Sequence, residues 1–110
     1  MRNDIIVQKL IAYAGKIINY CEGCDYEQFI SDTKLVEACV FNLSQMGELA
    51  NRIDEEFAVA HPEVPWRHIY GLRNRIVHDY EGVNLQLIWQ IIADDLESLK
   101  ESLTNIPETV

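Results

Sequence analysis

The stretch Asp32-Thr33-Lys34-Leu35-Val36-Glu37-Ala38-Cys39-Val40-Phe41-Asn42-Leu43-Ser44-Gln45-Met46-Gly47-Glu48-Leu49-Ala50 decides the fold. Leu35, Cys39, Leu43, Met46 and Ala50 recur three or four residues apart, the period of one face of a helix. Asp32 stands where an N-cap belongs, and the same register runs on through Ile53 and Phe57, which predicts one long helix. Ala38, Val40, Phe41 and Ala50 spread apolar character beyond the stripe. A broad intramolecular core would explain that; the reading preferred here is a second buried face, and hence a homodimer.

The same periodicity extends outward in both directions. Before the long helix, Ile6, Leu10, Tyr13, Ile17 and Ile18 mark another, with Asn3 or Asp4 as its cap and Gly23 near its end. A short helical turn is expected over Tyr26 to Ile30. After it, Ala60 to Pro65 reads as a loop, and Pro65 suits the first position of a helix bearing Trp66, Ile69, Leu72, Ile76 and Val77. That helix is expected to end between His78 and Gly82. Asn84 can cap a last helix carrying Leu85, Ile88, Trp89, Ile92, Leu96, Leu99 and Leu103, with Asp94, Asp95, Glu97 and Glu101 on its wet face. No segment alternates as a strand would. The prediction is an all-α, antiparallel bundle of four to five helices, one domain over residues 1–110.

Composition narrows the function. The chain has 110 residues and a formal charge of −9, which disfavours a broad basic groove for nucleic acid. No apolar run nears the roughly 18–20 residues that span a bilayer, and Gln8 and Lys9 interrupt the first apolar segment, so a cytoplasmic location and no membrane partner are expected. The three cysteines are odd in number. Cys21-x-x-Cys24 lacks a second ligand pair, so no metal is expected, and Cys39 reads as a small core residue.

Against this acidity, Val64 to His78 contains no Asp or Glu but holds Arg67, Arg73, Arg75, His68 and His78. Arginine's planar fork suits phosphate, and imidazole moves protons near neutral pH. Asn74 and His78 share a helical face as an i,i+4 pair, whereas Arg73 lies roughly 140° from His78 if the helix continues. Beyond the helix end, an extended backbone would turn His78 and Tyr80 to one side. Such a group could cleave RNA, whose ribose 2′-hydroxyl is a built-in nucleophile: a histidine handles protons and an arginine the phosphate charge. A two-fold dimer could supply one histidine as base and its mate as acid. Residue types alone equally allow a bland reading in which Arg and His complement the helix dipole. Elsewhere, His68 reads as a surface residue, His61 as structural, Glu48 and Arg52 as a solvated i,i+4 ion pair, and Trp66 and Trp89 as core. Ser44 has no nearby base.

The run from Pro65 to Tyr80, with Arg73, His78 and Tyr80 in the pattern Arg-x4-His-x-Tyr, resembles the HepT-like members of the HEPN superfamily. These are toxin partners of MntA-type minimal nucleotidyltransferases. The Asn42–Ala50 stretch, the His61–Trp66 loop and Val83 to Leu96 are similar as well. The resemblance implies a homodimeric helical bundle with the motif at the dimer cleft, and a metal-independent endoribonuclease needing no cofactor. By the same resemblance Arg73 and His78 are catalytic, Asn74 is supporting, and Tyr80 is the tyrosine that the cognate nucleotidyltransferase antitoxin silences by AMPylation. The protein is then expected to be the toxin of a type VII toxin–antitoxin pair acting on RNA. The alternative is a non-catalytic, nucleotidyltransferase-binding regulatory subunit.

Overall fold

The computed structural model describes residues 2–78 and 84–107, with the backbone alone for 76–78. Its helices are α1 (Asn3–Tyr20), α2 (Tyr26–Ser31), α3 (Thr33–Ala50), α4 (Glu55–Ala60), α5 (Trp66–His78), α6 (Leu85–Gln90) and α7 (Leu96–Thr104). A π-helical turn, Ile91–Asp95, joins α6 to α7 in one continuous rod. No strand occurs among the described residues, so the all-α class predicted from the sequence holds.

Local chemistry sets most boundaries. The Asp32 side chain accepts the Leu35 N–H at 3.1 Å and starts α3; Asn84 accepts that of Leu87 at 3.1 Å and starts α6. Asp25 and Gln28 form a reciprocal capping box on α2, with bonds of 2.8 and 2.9 Å. Gly23, at φ 76°, makes the left-handed turn after α1 that a side chain would resist.

Four expectations need correction. Neither Asn3 nor Asp4 caps α1: the N-cap is Arg2, whose guanidinium pairs with Asp4 at 2.6 Å. The long helix does not reach Phe57 but stops at Ala50 and resumes at Glu55. There, Asn3 accepts the Asp54 N–H at 3.2 Å and its own amide donates to the Asp54 carboxylate at 3.1 Å, tying the turn to the start of α1. Asp54, Glu55 and Glu56 also favour a new helix N-terminus over a helix interior. Pro65 lies just outside α5, its carbonyl accepting the Ile69 N–H as an N-cap residue does. Finally, the last helix is not uniformly α. In a regular helix each step of four residues drifts by about 40°. The wider π turn takes up that drift, so Ile88, Ile92, Leu96 and Leu103 are all buried.

The core is one cluster centred on α1, where Ile6, Leu10 and Ile17 meet Leu43 and Met46 of α3 and Leu96 and Leu103 of α7. α5 packs on α3 through Ile69 and Leu72. The only buried polar side chain among the described residues, Asn42, donates to the Ala38 carbonyl at 2.7 Å. Cys21 and Cys39 lie inside as free thiols, their sulfurs 3.6 Å apart, and burial pushes both thiol pKa values up. They act as small apolar residues, as expected for Cys39. No helix among the described residues is long and apolar enough to cross a membrane.

Candidate active site on α5

α5 is amphipathic in an unusual way, with an apolar face and a face that is cationic without acids. Trp66, Ile69 and Leu72 are buried, while Arg67, His68, Tyr70, Arg73, Asn74 and Arg75 are exposed. The helix is anchored at its start. Trp66 donates from its indole nitrogen to the His61 carbonyl at 3.0 Å, and Phe57 packs on the His61 ring at 4.5 Å and on Trp66 edge-on at 6.1 Å. His61 is therefore a structural residue and Trp66 a core one, as their sequence contexts suggest; Trp89 is half-buried against Phe29.

Of the expected site residues, Arg73 and Asn74 stand side by side on this exposed face. His78 is the last residue of the same helix, about 7.5 Å further along its axis. Its side chain, and the whole of Tyr80, lie outside the described residues.

The partner of Arg73 is a residue the sequence assigned elsewhere. Glu48 does not pair with Arg52, because α3 ends at Ala50 and Arg52 falls in the following turn, where i,i+4 geometry is lost. Its Oε1 lies instead 2.7 Å from Nε of Arg73, across the α3–α5 contact. Beside it, Gly47 lets the helices touch. A Cβ there would stand 3.1 Å from Cβ and 3.2 Å from N of Arg73, and 3.2 Å from the Ile69 carbonyl oxygen. The sequence carried a partial signal: a glycine inside a helical pattern can mark close packing, although not against what.

Arg75 takes another direction. With His68, one heptad before it, it lines a groove of about 660 Å³ between α5 and the C-terminal rod. The opposite wall carries Asp94, Asp95 and Ser98. That groove has mixed charge, and on the Arg73 side Glu48 is the carboxylate that meets α5, which carries no acid of its own.

Fold and site together define a small all-α bundle whose fifth helix, itself without acids, presents exposed arginines and an amide. Comparison with known proteins places it more narrowly. The model of the Ribonuclease HepT-like family matches residues 10–106. A provisionally named RNase of Caldanaerobacter subterraneus subsp. tengcongensis is 33% identical, over 86% of this chain and 90% of its own. A probable ribonuclease HepT of Thermococcus cleftensis is 35% identical over 68% of each chain. A provisionally named RNase of Methanocaldococcus jannaschii is 30% identical over 86% of each. No solved structure matches the chain significantly. The chain belongs to the HepT-like ribonuclease family.

Proposed function

We propose that the protein is an endoribonuclease that cleaves RNA by transphosphorylation at the Arg73–His78 end of α5, and that it serves as the toxin of a type VII toxin–antitoxin pair. The observation that carries this reading is an exposed helix, α5, that holds three arginines and no acid of its own on a chain of net charge −9, in a member of a ribonuclease family. In the proposed step, His78 takes the proton of a ribose 2′-hydroxyl, and the 2′-oxygen bonds to phosphorus. Arg73 balances the charge on the phosphorane, and Asn74 helps orient it. The P–O5′ bond then breaks, and a protonated His78, supplied by the second protomer of a homodimer, gives its proton to the leaving oxygen. The products are a 2′,3′-cyclic phosphate and a 5′-hydroxyl, with no metal or cofactor in the balance. Purified protein incubated with single-stranded RNA and excess chelator is expected to give those ends, and its expression to arrest growth. Intact RNA and normal growth would sink the reading in favour of a nucleotidyltransferase-binding subunit.

The off-switch belongs to the same proposal. AMP on Tyr80, two residues past His78, would add bulk and negative charge beside the RNA phosphate. Native mass spectrometry after incubation with ATP and the cognate MntA-like nucleotidyltransferase tests both remaining elements. The expected species is twice the 12.7 kDa chain mass, with adenylates added to wild type and none to Tyr80→Phe. A monomer removes the shared cleft, and an adenylated Tyr80→Phe removes the assignment.

A further inference from the structure

Two consecutive residues of α3 converge on one side chain of α5. Gly47, by lacking a Cβ, allows the backbone of Arg73 to lie against α3. Glu48, the next residue, brings its carboxylate to 2.7 Å from the Arg73 guanidinium. Among the described residues no carboxylate pairs with Arg67 or Arg75, so of the three arginines on α5 this one is singled out.

Stability does not explain the arrangement. The Arg73 and Glu48 side chains are 57% and 37% exposed, and pairs in such surroundings contribute little to folding. What the contact does supply is orientation. A free arginine side chain samples many rotamers, whereas one held at a carboxylate presents a fixed plane. The approach is through Nε, the edge nearest the chain, and the guanidinium has five donors in a rigid fork. Its terminal Nη edge is the one that suits two phosphate oxygens at once.

We infer that Gly47 and Glu48 form a seat for Arg73, and that Glu48 is a positioning residue for phosphate-charge stabilisation. This rests on the proposed role of Arg73 in RNA cleavage. The sign of the electrostatics makes the inference specific. A carboxylate near the scissile phosphate weakens ground-state attraction for RNA, so Glu48 cannot serve by tightening binding. Its benefit must fall on turnover, since misplacing a reacting group by about 1 Å can cost on the order of 100-fold.

The test compares wild type, Glu48→Gln and Glu48→Asp on one single-stranded RNA. Glu48→Gln removes the charge at nearly constant shape. It is expected to lower kcat about 10- to 100-fold, with KM unchanged or lower. Glu48→Asp keeps the carboxylate and is expected to recover part of the loss. The Arg73 Nε–H resonance gives a readout independent of cleavage: it should move in Glu48→Gln while those of Arg67 and Arg75 stay in place. Wild-type kcat in Glu48→Gln, or a loss of kcat with the Arg73 resonance unmoved, overturns the inference. A wild-type protein that cuts no RNA is a different outcome. It removes the nuclease reading and the positioning role with it, although the resonance would still report the ion pair.

Discussion

Replacing His78 with alanine is expected to lower the rate of RNA cleavage about 10²- to 10⁴-fold, the usual span for a lost general acid or base. If both histidines of a dimer act, one as base and one as acid, the loss should lie at the upper end. Arg73→Ala is expected to cost about 10²- to 10³-fold, the range for removing a donor that meets transition-state charge. The two should not multiply, because groups acting on one transition state fail as a unit. The double variant should be at most a few-fold slower than His78→Ala alone. Neither change should unfold the protein. Arg73 is held only by a half-exposed ion pair worth about 0–1 kcal/mol. A histidine at a helix C-terminus contributes on the order of 0.3–1 kcal/mol. Single-turnover rates on labelled RNA, measured beside thermal unfolding, separate the two effects. Full turnover by His78→Ala would remove it from the chemistry.

How much of this was legible before the fold was known depends on the range of the interaction. Asp32 and Asn84 were readable as caps because an N-cap bond closes over three residues, within the reach of local pattern. The apolar stripes of α1, α3, α5 and the C-terminal rod were readable for the same reason. The break after Ala50 was not. Leu49, Ala50, Ile53 and Phe57 keep the helical period across it, and the break is held by two hydrogen bonds between Asp54 and Asn3, one donated each way, from the far end of the sequence. The π turn at Ile91–Asp95 was hidden too, because it corrects a drift that matters only when the rod must keep one face to the bundle, α6 against α2 and α7 against α1.

The site divides along the same line. The acid-free run and the Arg73–His78 spacing are properties of one segment, visible in sequence. The seat that holds Arg73 joins residues of two helices, and the local rule pointed Glu48 at Arg52 instead. An i,i+4 argument is only as good as the helix beneath it. Here the helix ended one turn too soon, and the carboxylate went to the guanidinium that the α3–α5 crossing brought within reach.

The largest expected effect on folding comes from Phe29. α2 has only six residues, too few to be stable as an isolated helix. Phe29 is its one buried side chain, fully enclosed, with its ring 5.1 Å from that of Trp89 on α6. It therefore anchors α2, which packs on both α3 and α6. Phe29→Ala deletes a ring from a closed core and leaves a cavity, which typically costs about 3–5 kcal/mol. A domain of this size has only about 5–15 kcal/mol in total. The melting temperature is expected to fall by about 15–25 °C. Phe29→Leu refills most of the volume and is expected to lose less than about half as much, forfeiting chiefly the aromatic contact worth roughly 0.5–1.5 kcal/mol. Because α5 rests on α3 rather than on α2 as its main support, Phe29→Ala assayed well below its melting temperature should still cut RNA at a rate close to wild type. Urea unfolding of the three proteins decides the matter. A Phe29→Ala midpoint indistinguishable from wild type would mean that α2 is not docked through this ring.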